Sequence, residues 1–364
     1  MIIQSLELSD FRNYEYLKLE FDEKTNIICG DNGQGKTNIL EAIVLCGMSH
    51  SHRGSKDREM IRFGCDEAHI RAGILRKERH KDIDLHLRKK KSKGIAVNRQ
   101  PLQRAAQLIG IFQVVVFSPE DLRIIKSGPS ERRNFMNQTL CQTDRIYFHD
   151  LSCYHQALRQ RNQLLKDLEI RPELTDTLEL WDLQLLDYGT RILQRRERFT
   201  EEINLVIEPL HANITGGREK LRVCYEPNTT PERFEAELKR SRQRDLKFQM
   251  THIGPHRDDL KFRVNDIDMR DYGSQGQQRT CALSLKLSAI DMIRREVNED
   301  PVLLLDDVLS ELDAQRRQDL LEYIKGFQTI ITCTGYDEFL QYKFHPDRIF
   351  EVSGGHVMPE KREE

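Results

Sequence analysis

Three things are scarce in these 364 residues, and each scarcity narrows what the chain can do. The eight cysteines, Cys29, Cys46, Cys65, Cys141, Cys153, Cys224, Cys281 and Cys333, never fall into CxxC spacing, which excludes the usual structural zinc modules. Several stand in apolar runs, where a reduced thiol behaves as a small hydrophobe, the pattern of a reducing cytoplasm. No stretch approaches the roughly 20 apolar residues that cross a bilayer. The opening Met1-Ile2-Ile3-Gln4-Ser5-Leu6-Glu7 has no basic region leading into an apolar segment. A soluble cytoplasmic protein with no membrane partner is therefore expected.

Net charge is also nearly absent, at -2, but it is unevenly spread. Residues 71–104 carry twelve Lys or Arg against three Asp or Glu, with Arg88-Lys89-Lys90-Lys91 among them. That excess reads either as a patch facing a polyanion or as a solvated hairpin tip. Nothing resembles a helix module that reads DNA sequence or a nuclease metal cluster.

Hydrophobic periodicity supplies the architecture. Residues 2–8 and 15–21 have strand patterns on either side of Asp10-Phe11-Arg12-Asn13-Tyr14, and a third strand, 25–29, runs into a glycine-rich loop. Residues 38–46 then read as a helix. Antiparallel strands are expected over 68–75, 82–87 and 94–98, and another strand over 111–117. Ser130 is placed to cap a following helix. Further on, Tyr154, Leu158, Arg161, Leu165 and Leu168, then Trp181, Leu185, Tyr188, Ile192, Arg195, Phe199, Ile203 and Val206, follow a spacing of four and three. Such a seam predicts two antiparallel helices reversing near Pro172, an arm of about 30 to 45 Å at 1.5 Å per residue. Strands over 221–225, 260–264, 302–305, 329–333 and 348–352, with helices over 231–248 and 277–294, complete an α/β pattern interrupted by a helical insertion. The expected division is 1–122 and 246–364 as the two parts of a head, with 123–245 as a helical second lobe.

The loop Gly30-Asp31-Asn32-Gly33-Gln34-Gly35-Lys36-Thr37 satisfies G-x-x-x-x-G-K-[ST], and its helix continues through Asn38. Glycines let backbone wrap phosphates, the helix start presents unpaired N–H groups, Lys36 reaches the β and γ oxygens, and Thr37 offers a hydroxyl to Mg²⁺. Near the other end, Val302-Leu303-Leu304-Leu305 leads into Asp306 and Asp307. Asp306 is the candidate Mg²⁺ ligand and Asp307 the candidate that positions or deprotonates the attacking water. An ATP site written in two distant pieces requires the insertion to bring both ends back to one sheet.

Phe11-Arg12-Asn13-Tyr14, the phosphate loop, Ser118-Pro119-Glu120-Asp121-Leu122, Gly254-Pro255-His256-Arg257-Asp258-Asp259-Leu260, Ser274-Gln275-Gly276-Gln277-Gln278-Arg279 and Asp306-Asp307-Val308-Leu309-Ser310-Glu311-Leu312-Asp313 together resemble the bacterial RecF family of recombination proteins. The likeness runs from residue 2 to about 352 with the motifs in order. It implies an ABC-type P-loop ATPase head with an antiparallel β subdomain and a helical lobe in place of a long arm. It implies weak ATPase activity and an ATP-dependent homodimer in which Ser274, Gly276 and Gln277 of one subunit meet the γ-phosphate held by Lys36 of the other. Ser310 to Asp313 resembles the loop beside the partner site. The same resemblance supplies double-stranded and gapped DNA, RecR and RecO as partners, with RecA loading downstream.

Departures from a transporter-like pattern point to a slow switch. The second acid is Asp307, not Glu; Thr332-Cys333-Thr334 stands where a histidine often senses the γ-phosphate; and Gln113 lies too early for a glutamine loop. Thr332 or Thr334 can donate a hydrogen bond there but cannot become cationic. Arg12 and Asn13 are candidates to border the adenine. Arg53 either approaches the phosphates or is an ordinary surface arginine, and His256-Arg257-Asp258-Asp259 is either a buried ion-pair network or a DNA contact. The competing function is a nucleotide-gated structural ATPase without direct DNA binding; a transporter subunit is disfavoured by the insertion.

Overall fold

The computed structural model describes residues 1–335 and 346–359. Strands β1 (Ile2–Phe11), β2 (Tyr14–Glu20) and β3 (Thr25–Cys29) lead into helix α1 (Lys36–Met48), followed by β4 (Glu67–Arg76), β5 (Arg79–Arg88), β6 (Gly94–Val97), β7 (Gln100–Pro101) and β8 (Val114–Phe117). Next come α2 (Leu122–Lys126), α3 (Pro129–Thr143), α4 (Arg145–Asp167), α5 (Leu178–Ile214), β9 (Leu221–Glu226), α6 (Phe234–Phe248), β10 (Asp259–Val264), β11 (Ile267–Asp268) and α7 (Gln275–Val297). The last elements are β12 (Val302–Asp306), α8 (Ala314–Tyr323), β13 (Thr329–Cys333), β14 (Arg348–Ser353) and β15 (His356–Pro359). Among the described residues, no helix is long and apolar enough to cross a membrane.

Two compact units result: Met1–Asp121 with the chain from Ile293 onward, and Leu122–Met292. The first contains a sheet in the order β15-β14-β3-β13-β12-β8, parallel from β14 to β8. Strand β12 and the edge strand β8 are buried at every position, which is why Val302–Leu305 and Val114–Phe117 read as continuous apolar runs. The second sheet, β2-β1-β4-β5-β6-β7, is antiparallel; exposed and buried residues alternate over the first part of β4, and half-buried and buried ones along β5. Ile3, Leu6, Ile70, Ile83, Ile39, Ile43, Leu304 and Ile330 belong to one core shared by both sheets and α1.

In the second unit α4 and α5 are antiparallel, as three rungs of ion pairs establish: Asp144 with Arg195, Asp150 with Arg191, and Arg161 with Asp182. The reversal is a 3₁₀ turn over Pro172–Thr177. Helix α5 has 37 residues, about 55 Å. It exceeds the expected arm because its C-terminal half continues past α4 to pack on β9, where Asn204 bonds both backbone groups of Val223. Arg196, rather than Arg195, is the fully buried arginine of that face.

Three expectations need correction. Residues 246–292 pack with the second unit, not the head, because β10 pairs with β9 and α7 buries Cys281, Ala282, Leu285 and Ala289 among Phe199, Ile203 and Phe262. Helix α3 starts at Pro129 after an extended Gly128, so Ser130 lies inside its first turn instead of capping it; proline fits there because its missing N–H would have no intrahelical partner. Helix α7 begins at Gln275, two residues before the expected start.

Candidate nucleotide-binding site

The first unit assembles the phosphate loop and the acidic pair around adjacent strand ends. Strand β13 lies between β3, which ends at the loop, and β12, which ends at Asp306. Thr37 Oγ1 donates to Asp306 Oδ1 at 2.8 Å, and Thr332 Oγ1 donates to the same oxygen at 2.9 Å. The Asp307 N–H donates to Thr332 Oγ1 at 3.0 Å. Thr332 is buried and its single hydroxyl hydrogen is engaged by Asp306, so its place differs from the expected one: it orients both aspartates rather than offering a donor to phosphate. Thr334, just beyond β13, is the exposed threonine.

Asp307 has φ 50°, in the left-handed region that aspartate tolerates better than most residues. This turn separates the two carboxylates immediately after a regular strand. Burial and the charge of Asp306 push the Asp307 carboxyl up, although Lys36 and a bond from Ser310 pull it down, and the net direction is up. A more basic carboxylate is the better proton acceptor.

The loop itself is pinned on several sides. No side chain caps α1, and while the Asn38 and Ile39 amides donate to Gly35 O at 2.9 and 3.3 Å, those of Lys36 and Thr37 face the loop for an anion. Lys36 is buried, with its ammonium donating to the carbonyls of Gly30 and, at 2.9 Å, Asp31. At Gly35, with φ 113°, a β-carbon would collide with the Asn13 amide and the Tyr14 hydroxyl. Asn13 donates to Gln34 O at 2.9 Å and accepts from Asn38 at 2.8 Å, while Gln34 Oε1 accepts from the N–H of Gly354 at 2.7 Å. Asp31, Asn32 and Gly33 form the exposed apex, and nothing lies within 4 Å of where a Gly33 side chain would stand. The hard oxygen donors of Thr37 and Asp306 suit Mg²⁺, and the glycine cradle suits phosphates.

Arg12 is more tightly held than its sequence position suggests. It makes a two-pronged pair with buried Glu41, at 2.7 and 2.9 Å, and bonds Glu59 O and Ser55. Burial raises the Glu41 carboxyl, but hydrogen bonds from Arg12 and Ser51 and the charges of Arg12 and Arg53 bring it below its ordinary value. Arg53 is itself exposed. Glu41, hidden in an apolar helix, was the member of this cluster that sequence reasoning missed; its signal was a lone acid in the run Ile39–Cys46.

Ser274, Gly276 and Gln277 lie in the second unit, at the start of α7. Gln277 N–H donates to Ser274 Oγ at 3.2 Å and Ser274 N–H to Gln277 Oε1 at 3.0 Å, a reciprocal capping box written in the sequence as S-Q-G-Q. The Gln277 amide also donates to Glu219 at 3.0 Å, so its side chain is occupied in the isolated chain, whereas Ser274 is exposed and keeps its own O–H to donate. Asp313 of the other loop caps α8 through Arg316 N–H, and Ser310 donates to Asp307 O.

His256, Asp258 and Asp259 belong to a buried network. Asp258 accepts from Arg196 at 2.7 Å, from Tyr225 and from Asn228 N–H, and Asp259 pairs with Arg132 at 2.6 and 2.9 Å. His256 donates Nε2–H to Thr251 O at 3.0 Å, which leaves Nδ1 to accept from Tyr154 at 2.7 Å. Arg257 alone of the four is exposed. The basic excess of 71–104 is likewise divided. Lys77 and Arg79 flank the β4–β5 turn, Lys89, Lys90 and Lys91 leave the opposite end of β5, and Arg71, Arg76 and Lys93 are paired with Asp84, Glu299 and Asp57.

Residues 2–354 match the sequence family described as the RecF/RecN/SMC N-terminal domain. A relative from Agathobacter rectalis, described as DNA replication and repair protein RecF, is 56% identical over 98% of this chain and 99% of its own length. One of the same description from Lachnospira eligens is 53% identical over 99% and 100%. A solved structure of the recombination mediator protein RecF with ATP has a TM-score of 0.92 at 37% identity, covering 99% of this chain and 97% of that one. An SMC head domain from Pyrococcus furiosus shares the fold, with a TM-score of 0.57 at 18% identity. Because identity at the first of these levels runs through nearly the whole of both sequences, this chain belongs to the RecF family.

Proposed function

We propose that the chain is an ATP-controlled DNA-binding clamp in recombinational repair of gaps and stalled forks, joining as a dimer on ATP and releasing DNA after slow hydrolysis. The observation that carries this reading is the convergence of Thr37 and Thr332 on Asp306 beside the phosphate loop. Lys36 and the loop amides would hold the β and γ phosphates. Thr37 and Asp306 would hold Mg²⁺, whose charge offsets that of the phosphate oxygens when bound. Asp307 would take the proton of the attacking water. Ser274 and the first turn of α7, from a second copy, would meet the γ-phosphate and make ATP the bond between heads.

Slowness follows from the same residues. Asp307 is one methylene shorter than glutamate, and Thr332 cannot supply a cation at the γ-phosphate. DNA would be held mainly through its phosphates by the exposed members of residues 71–104 and basic residues of the helical unit, so binding should fall steeply with salt. RecR and RecO, with RecA loading downstream, are the partners that family membership suggests. The test is retention of duplex and gapped DNA against salt with ATP, with ADP and with Lys36→Arg protein. Retention that needs ATP and the wild-type lysine supports the clamp; equal duplex binding in every state overturns it.

A further inference from the structure

On the exposed face of the antiparallel sheet, Glu67 and His69 stand two apart on β4, so they share a face, and His69 is in direct register with His86 on β5. The two imidazoles stack with centroids 4.0 Å apart, and His86 Nε2 lies 2.7 Å from Glu67 Oε2. One ligand atom from each of the three side chains falls within 4.8 Å of the others. We propose that Glu67, His69 and His86 form a binding site for a divalent transition ion such as Zn²⁺, bridging β4 to β5.

The chemistry of the donors selects the ion. Two imidazoles and one carboxylate suit borderline cations of the zinc type, whereas Mg²⁺ and Ca²⁺ prefer oxygen alone. With metal–ligand bonds near 2.0 to 2.1 Å, tetrahedral ligand atoms lie about 3.3 Å apart. Glu67 and His86 are closer than this and all three ligand atoms lie within 4.8 Å of one another, so side-chain rotation can set the triangle without moving strands. The proton now shared between His86 and Glu67 is what the ion would replace. With three protein ligands, water would complete the shell.

The probe is Co²⁺ alone, titrated into the full-length reduced chain. One ion per chain should bind with ligand-field absorption in the visible and without the near-ultraviolet band of a thiolate ligand, and Zn²⁺ should displace it. Replacing an outer partner of a metal ligand weakens binding by about 10- to 100-fold, so Glu67→Gln, His69→Ala and His86→Ala should each do at least that. None of the three side chains is buried, and unfolding curves without metal verify that the variants remain folded. Absence of saturable uptake, a spectrum dominated by thiolate, or wild-type affinity in the three variants would overturn the site.

Discussion

Thr37 Oγ1 and Asp306 Oδ1 are 2.8 Å apart although 269 residues separate them in sequence. Thr332 donates to the same oxygen from the strand between them, so one carboxylate oxygen fastens the phosphate loop to two neighbouring strand ends. Asp306→Asn retains an acceptor for both hydroxyls but loses the charge. The fold should persist while the affinity that Mg²⁺ adds to nucleotide binding drops by about tenfold or more, as loss of a metal's supporting group does elsewhere. Fluorescent ATP titrated with and without Mg²⁺ measures this, and an undiminished Mg²⁺ effect would remove Asp306 from the metal site.

Asp307→Asn should leave ATP binding near the wild-type level and slow single-turnover hydrolysis by about 10²- to 10⁴-fold, the usual range for a lost general base. Asparagine also accepts the left-handed backbone at this position, so strain does not confuse the result. The Asp307 carboxyl is shifted upward, chiefly by burial. Its basic form is therefore lost at a higher pH than for an ordinary aspartate as acid is added, and the acid limb of the wild-type rate profile should move up accordingly. Retained hydrolysis in the variant would assign water activation to another group.

The parts of this site carried by local backbone chemistry were legible in the sequence. The glycine-rich loop, the apolar strand before Asp306 and the S-Q-G-Q start of α7 each announce a conformation within a few residues. Partnerships set by tertiary packing were not. Nothing local says that Thr332 would give its hydrogen to Asp306, that Glu41 would clamp Arg12, or that residues 246–292 would pack with the helices rather than the head. Arg196 was missed for the same reason. In the sequence, a fully buried arginine on an amphipathic helix looks no different from its half-buried neighbour Arg195 until its partner Asp258, 62 residues away, is in place.

Removing that partner should be costly. Arg196 donates to Asp258, Pro255 O, Asn137 and Tyr147, and both charged side chains are almost wholly buried. Arg196→Met leaves a buried carboxylate without its counter-charge and should destabilise the second unit by about 3 to 5 kcal/mol. Urea unfolding followed by the single tryptophan, Trp181 in α5, reports on this unit. A loss below about 1 kcal/mol would place the pair in the range of ordinary surface bridges.

The neighbouring His256 adds a dependence on pH. Burial holds its pKa down to about 4, with the charges of Arg257, His155 and Arg133 acting in the same direction and the bond to Thr251 opposing. The unfolded chain, near 6.5, takes up a proton first as pH falls. Stability is thus intact above about pH 6.5 and declines between 6.5 and 4. His155 and His211, also depressed by burial, add to the same slope. His256→Gln should flatten part of it in urea midpoints measured at pH 7 and pH 5. An unchanged slope would mean that His256 is protonated equally in both states.

Ser274 offers the sharpest separation of structure from function, because its oxygen caps α7 while its hydrogen remains available. Replacing a capping serine with alanine costs about 0.5 to 2 kcal/mol, whereas glycine at the same position costs only a few tenths. Ser274→Ala and Ser274→Gly therefore differ in how well they preserve the helix but are alike in lacking a hydroxyl. If the hydroxyl meets the γ-phosphate of a second copy, both variants should lose ATP-dependent dimerisation by sedimentation while Ser274→Gly keeps near-normal stability. A glycine variant that dimerises like wild type would reduce the serine to a cap, and the first-turn amides of α7 would then have to hold the phosphate without it.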